Sequence, residues 1–193
     1  MSNIFLIMFA AILAENFIFS RLYGVEPFIG ASDKPRTALG MGAVVTVVMT
    51  LSSAATYAVY YLFLERFGLE YLKTVAFVLV IVAASGITEL LFEKLIPSVY
   101  SSIADHFTFI TTNCAVLGAL LLNVQAHNSF ADSILFGLAS ALGFTLASVV
   151  FAGVRARMTF SDPPKAFKGA PILLIAAGLI AMAFSGFSGM KFS

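Results

Sequence analysis

Two short stretches of the chain place residues that can bind a metal ion or a proton beside residues that interrupt helices. In the first, GVEPFIG at residues 24–30, Glu26 stands next to Pro27 at the end of a long apolar run. Proline removes a backbone donor and glycine loosens the backbone, so a helix cannot continue undisturbed through Glu26. In the second, TTNCAVLG at residues 111–118, Cys114 follows three polar residues. These two breaks are the candidate centre of the protein.

The polar residues of the second break can compensate for an interrupted helix. The side chains of Thr111, Thr112 and Asn113 can hydrogen-bond to backbone groups that the loss of helix leaves unpaired in lipid. Irregular backbone at membrane depth persists only where it is buried in protein or lines a cavity. We therefore expect both breaks to face the interior of the protein or a partner subunit.

Cys114 has two interpretations. A cysteine that is not in a disulfide usually acts as a small buried hydrophobe. As a thiolate it could bind a soft metal or an iron–sulfur cluster, but such clusters are generally held by four protein ligands. Because Cys114 is the only cysteine of the chain, a partner chain would have to supply the other ligands.

Glu15 is the acidic residue within the first long apolar run, and Asn16 follows it. Ionisable groups inside membrane spans are costly, rare and by default functional. Glu15 could carry a proton or coordinate a cation, with Asn16 and Asn113 as further polar groups of an ion path. It could equally pair with Arg21 or with a neighbouring helix in a structural role.

The elements that position these residues must be membrane-spanning helices. Hydrophobic residues make up 60% of the 193 residues and charged residues only 11%, with a mean hydropathy of +0.99. Soluble proteins carry about 25% charged residues, so this composition predicts an all-α integral membrane protein. Since a span needs about 20 apolar residues, we predict six transmembrane helices: Ile4–Tyr23, Leu39–Phe63, Val75–Phe92, Phe107–Val124, Ile134–Val154 and Ile172–Phe187.

The distribution of charge predicts the orientation of the chain and gives no sign of a nucleic-acid partner. The formal net charge is only +1. Basic residues near helix ends tend to remain in the cytoplasm. The loops after the first, third and fifth predicted helices hold seven basic residues, or eight with Arg21 at the end of the first helix, and the other side holds three. We therefore expect a multi-pass membrane protein with both termini outward.

The two halves of the chain align with each other. At an offset of 88, Phe19 meets Phe107 and Gly30 meets Gly118; at an offset of 95, Gly42 meets Gly137. This alignment predicts one membrane domain built from two three-helix repeats, residues 1–97 and 98–193, each with an interrupted first helix. Because three is odd, the repeats would cross the membrane in opposite senses, as in many transport proteins. The alternative is that apolar sequence of low complexity aligns with itself easily.

Four stretches of the chain resemble one family of membrane proteins. They are PFIGASDKPRTALGMG (27–42), YLKTVAFVLVIV (71–82), ITTNCAVLGALLLN (110–123) and GLIAMAFSGFSG (178–189). They are similar to the RnfA, RsxA and NqrE family of subunits, which belong to the Rnf ion-translocating electron transport complex and to the sodium-pumping NADH:quinone oxidoreductase. The similarity covers essentially the whole chain, and ITTNCAVLG is its most specific element.

The resemblance implies a membrane subunit that couples electron transfer between ferredoxin and NAD to sodium or proton translocation, without being catalytic alone. It implies a homologous partner of the RnfE or NqrD type in the lipid bilayer, among further Rnf subunits. It also implies that cysteines at the helix breaks of both partners hold a shared [2Fe–2S] cluster, whereas FMN and other clusters belong to partner subunits. Cys114 matches one of these cysteine positions.

At the other position the chain departs from the family pattern. Family members usually have Cys-Pro-Phe where this chain has Glu26-Pro27-Phe28, and a carboxylate is not an ordinary cluster ligand. Glu26 is therefore a doubtful cofactor ligand and Cys114 the secure one. Two other functions stay open: a secondary transporter that uses inverted repeats, and a structural Rnf-like subunit without a cluster.

Overall fold

The computed structural model describes residues 35–95, 97, 100, 113–160 and 164–186. The predicted helix Ile4–Tyr23 and the candidate residues Glu15, Asn16 and Glu26 lie outside these residues. The described part of the chain is helical and contains no strand. It confirms the prediction of an all-α integral membrane protein.

Five α-helices and three shorter helical segments make up the described residues. The α-helices are α1 (Pro35–Val59), α2 (Lys73–Leu95), α3 (Cys114–Gln125), α4 (Phe130–Met158) and α5 (Ala170–Ser185). One π-helical turn, Tyr60–Leu64, continues α1, and the 3-10 turns Glu70–Leu72 and Lys165–Phe167 precede α2 and α5. The predicted bounds agree with α1, α2, α4 and α5 to within a few residues at both ends.

Three of these segments are long and apolar enough to cross a membrane by themselves. They are Thr37–Leu64, Glu70–Leu95 and Phe130–Met158, of 28, 26 and 29 residues. At a rise of about 1.5 Å per residue the last is about 43 Å long, which exceeds the ~30 Å hydrocarbon layer. The 12 residues of α3 cover only about 18 Å. The span predicted from residue 107 therefore has its described helix only in its C-terminal part.

The centre of the described bundle is the pair α1 and α4, which pack against each other over most of their length. α2 and α3 pack on α1, α3 also contacts α2 and α4, and α5 lies against α4. The largest fully buried side chains come from the first four helices and include Phe77, Phe144, Phe151 and Leu120. Only Ala176 is buried on α5, so α5 is the peripheral helix.

Two glycines allow the close approach of α1 and α4. A Cβ atom on Gly42 would overlap the side chain of Thr145, and one on Gly137 would overlap that of Ser53. Between these two contacts the residue number rises from 42 to 53 in α1 and falls from 145 to 137 in α4. The two helices are therefore antiparallel. Small residues permit such close helix crossings in membranes. Gly42 and Gly137 are also the positions that the alignment of the two halves superposes.

Candidate functional site

The helical conformation of α3 begins at Cys114. Asn113 has an extended backbone, with φ −69° and ψ 112°, and its Oδ1 accepts a hydrogen bond from the backbone N–H of Ala115 at 2.9 Å. Asparagine is among the best residues for this capping role, because its side chain satisfies a backbone donor that the first helical turn leaves unpaired. The prediction that the side chain of Asn113 satisfies a backbone group at the break is confirmed, and its place on an ion path stays a prediction. Thr111 and Thr112 lie outside the described residues.

The contacts at the other end of α3 fix its depth. Asn123 donates from Nδ2 to the backbone carbonyl of Ser133 at 3.2 Å and accepts at Oδ1 from Asn128 at 2.8 Å. The end of α3 therefore lies beside the first turn of α4. The four residues between the two helices make them antiparallel neighbours, as short helix connections do.

The start of α3 is consequently near the middle of the long membrane span. Asn113 precedes Asn123 by ten residues, which is about 15 Å along a helix axis. The same distance along α4 from Ser133 leads to about residue 143, and the midpoint of the 29-residue α4 is residue 144. A helix that begins at this depth places Asn113 and Cys114 inside the apolar layer, far from either surface.

Cys114 and Asn113 have opposite environments at this position. Asn113 is 3% exposed, whereas Cys114 is an exposed residue of the chain. A residue exposed at mid-depth has part of its surface open to lipid or to a second protein chain. The interpretation of Cys114 as a small hydrophobe of this chain's own core is therefore not supported.

The amide nitrogen of Asn113 is a buried donor without a hydrogen-bond partner among the residues that the structure describes. An unsatisfied buried group costs about 1–3 kcal/mol. Because Oδ1 accepts from the backbone of Ala115, the assignment of the amide follows from the capping bond. Nδ2 can only donate, so this atom suits an acceptor such as water, a carbonyl or a thiolate sulfur and does not suit a cation.

The side chains that could bind a metal decide which cofactor the described residues can hold. No group of three or more histidine, cysteine, aspartate or glutamate side chains lies together within residues 35–95, 113–160 and 164–186. Cys114 can therefore serve as one ligand of a cluster shared with another chain, and these residues do not form a complete metal site. The shared cluster stays a prediction, and Glu26 lies outside the described residues.

Asn123 is a polar centre that the sequence reasoning missed. It is 4% exposed and links α3, the α3–α4 connection and α4 through its two hydrogen bonds. The available signal was an asparagine near the end of an apolar run in LLLNVQ. Its described role is to fix the hairpin that sets the depth of Cys114.

Residues 4–191 match a family of membrane proteins described as "Rnf-Nqr subunit, membrane protein". The chain belongs to this family. A relative from Acetobacterium woodii, named as a subunit of the Na(+)-translocating ferredoxin:NAD(+) oxidoreductase complex, is 50% identical over 96% of both chains. Two further relatives are named as subunits of an ion-translocating oxidoreductase complex. The one from Syntrophotalea carbinolica is 47% identical over 98% of both chains. The one from Vibrio vulnificus is 41% identical over 98% of this chain and 99% of its own.

Membership confirms the family resemblance of the four sequence stretches. It covers the residues on both sides of the helix start at Cys114. The site of this Rnf-Nqr protein is thus a buried, side-chain-capped helix start in the apolar layer with an exposed thiol.

Proposed function

We propose that this chain is the RnfA-type subunit of a bacterial membrane complex that couples electron transfer between ferredoxin and NAD to the translocation of sodium ions or protons. The observation that carries the proposal is the 50% identity, over 96% of both chains, with a relative that is named as part of such a complex. In this proposal the chain is a subunit of an ion-translocating oxidoreductase and has no catalytic centre of its own.

The second part of the proposal concerns Cys114. We propose that its thiolate is one ligand of a [2Fe–2S] cluster shared with a homologous partner subunit of the RnfE or NqrD type. Such a cluster supplies one-electron transfer when it is bound. FMN and further clusters would belong to other subunits of the complex.

The residues of this chain would hold the ligand in place and exclude water. The capping bond of Asn113 fixes the first turn of α3 and with it the backbone of Cys114. The N-terminus of a helix carries a partial positive charge, which favours negatively charged thiolates. The free donor on Nδ2 of Asn113 could hydrogen-bond to a sulfur atom, an interaction that raises the reduction potential of a cluster.

The topology that we propose is two inverted three-helix repeats, with both termini outward in the inner membrane. The antiparallel packing of α1 and α4 supports it, because these helices are the second members of the two repeats. Gly42 and Gly137, equivalent under the offset of 95, each contact a hydroxyl side chain of the opposite helix. Inverted repeats place functional centres where their interrupted helices meet, and we assign the start of α3 at Cys114 to one such interruption.

One sequence observation favours a second candidate, a structural subunit of the same complex without a cluster. Glu26 occupies the position at which relatives are expected to have a cysteine, so one usual ligand is missing. The secondary transporter is not favoured, because the relatives are named as subunits of oxidoreductase complexes.

The test is to express the chain with its homologous partner and measure the iron content and the low-temperature EPR spectrum of the reduced, assembled pair. We expect a [2Fe–2S] signal that disappears in Cys114→Ser. Asn113→Ser is the matched variant, because it keeps a capping oxygen and removes the Nδ2 donor. It should retain iron and alter the reduction potential of the cluster.

Two results would contradict the cluster proposal. One is a signal of unchanged intensity in Cys114→Ser. The other is an assembled pair without iron in which Glu26→Cys creates a [2Fe–2S] signal, and this result would establish the structural subunit.

A further inference from the structure

A basic cavity lies where α4 ends and α5 begins. It has a volume of about 310 Å³ and is lined by Arg155, Met158, Lys168, Gly169, Ile172 and Leu173, with Thr159 beside them. Two of these side chains are cations, and those of Met158, Ile172 and Leu173 form an apolar floor. The cavity is independent of the site at Cys114, because none of its lining residues belongs to α3.

The depth of Arg155 places this cavity at the membrane surface. α4 is about 43 Å long and exceeds the ~30 Å hydrocarbon layer by about 13 Å, or about four residues at each end. Arg155 is three residues from Met158, the last residue of α4. It is half-buried, and its charged group therefore reaches the level of lipid phosphates.

The N-terminus of α5 adds a partial positive charge beside the cavity. No side chain caps this 16-residue helix, and Gly169 before it has φ 91°, a conformation that favours glycine. Ile172 and Leu173, in the first turns of α5, line the cavity. Uncapped N–H groups at a helix start bind phosphate together with basic side chains.

An apolar groove continues from this cavity toward the middle of the membrane. Its volume is about 400 Å³, and it shares Met158 and Ile172 with the basic cavity. Along α5 it extends from Ile172 to Ile180, which is about 12 Å. A basic cavity that opens into an apolar groove has the polarity of one phospholipid molecule, with headgroup above and acyl chain below.

The surroundings of the cavity carry positive charge and exposed aromatic rings. From Arg155 to Lys168 the sequence has four basic residues and one acidic residue. Phe160 and Phe167 are 89% and 47% exposed, and phenylalanine rings beside basic side chains are typical of segments that enter the lipid interface. At the opposite end of the bundle, residues 65–73 hold two acidic and two basic residues. The charge asymmetry selects an anionic occupant for the α4–α5 end.

We propose that the cavity and groove between α4 and α5 form a binding site for an anionic phospholipid, with its phosphate at Arg155 and Lys168 and an acyl chain along Ile175 and Leu179. Basic pockets between transmembrane helices bind anionic lipid headgroups in this way. The site is separate from electron transfer, and its test does not depend on a cluster.

The experiment uses the assembled, delipidated complex in neutral detergent and titrates dioleoylphosphatidylglycerol or dioleoylphosphatidylcholine, with bound lipid counted by native mass spectrometry. We expect selective binding of the glycerol lipid. Arg155→Gln with Lys168→Gln should weaken its binding about 25-fold, at about fivefold per charge, and leave the choline lipid unchanged. The matched control at the opposite end, Arg66→Gln with Lys73→Gln, should have no effect.

A second pair of variants tests the groove. Leu179 and Leu174 are 58% and 54% exposed on the same helix, and only Leu179 lines the groove. Leu179→Ala should weaken binding several-fold, because it removes apolar contact with the acyl chain, and Leu174→Ala should not. If the double charge variant does not assemble, Lys168→Gln alone carries the test, because Lys168 is an exposed residue.

Several outcomes would overturn the proposal. Equal binding of the two lipids, or equal losses in the Arg66 and Lys73 control, would show non-specific adsorption. Competition by inorganic phosphate or glycerol 3-phosphate at the same concentration as the lipid would show an anion pocket without acyl recognition. Loss of a neighbouring subunit from the Arg155 and Lys168 variant, with lipid binding intact, would assign this surface to a protein contact.

Discussion

Replacement of Gly137 by alanine should destabilise the protein at the crossing of α1 and α4. A Cβ atom at position 137 would lie 2.9 Å from the Cβ atom of Ser53 and 3.2 Å from the carbonyl oxygen of Met49. Optimal separations between carbon atoms are about 3.5–4.0 Å, so the carbon–carbon contact is too short by about 0.6–1.1 Å. Rotation of the Ser53 hydroxyl cannot relieve it, because the Cβ atom and the carbonyl are fixed by the backbone of α1.

The expected size of the effect follows from the burial of this crossing. Ser53 and Met49 are 1% and 0% exposed, and the helices can separate only by opening contacts along the pair. Overpacking of this kind costs about 1–3 kcal/mol. At about 2–4 °C per kcal/mol for a chain of this size, Gly137→Ala should lower the midpoint of thermal unfolding by about 2–12 °C.

Gly153→Ala is the matched control, because Gly153 lies on the same helix and no atom of a neighbouring residue lies within 4 Å of the place that its Cβ would take. Alanine is a better helix former than glycine by up to ~1 kcal/mol, so this variant should unfold at the same temperature or slightly higher. The assay heats the purified protein in detergent and measures the folded fraction by fluorescence-detected size-exclusion chromatography. Equal midpoints for Gly137→Ala and Gly153→Ala would refute the close crossing of α1 and α4.

Three other expectations concern the described site. Asn113→Ala should destabilise the protein by about 1 kcal/mol, because it removes the helix cap. Asn113→Ser should recover most of this loss in the same thermal assay. Equal losses in the two variants would contradict the capping role. Asn123→Leu should destabilise by about 1–3 kcal/mol, because it removes two hydrogen bonds, to the carbonyl of Ser133 and from Asn128, at about 0.5–1.5 kcal/mol each. A similar loss in Asn128→Ala would instead locate the effect in the connection between α3 and α4. Because Cys114 is exposed, it should react with a maleimide when the chain is alone in detergent. In the assembled complex it should be protected. Unchanged reactivity on assembly would contradict a partner at this position.

The sequence was sufficient for the membrane class and for most of the helices. The excess of apolar residues left no soluble alternative, and long apolar runs place α1, α2 and α4 with small errors at their ends. The break at Asn113 was also readable, because asparagine caps helices through a local hydrogen bond that needs no tertiary contact. The family resemblance, carried by ITTNCAVLG and three other stretches, was confirmed by the match over residues 4–191.

The depth and exposure of Cys114 were decided by tertiary structure. Composition allowed the thiol to be either a core residue or a ligand, and only the Asn123–Ser133 contact and the packing of α3 on α1 and α4 distinguish these environments. The pairing of Gly42 with Thr145 and of Gly137 with Ser53 also joins residues about 85–100 positions apart. Local propensity carries no information about such contacts, because they depend on how two helices cross. The sequence thus determined which segments are helices and where one begins, and the packing of those helices decided which side chains meet.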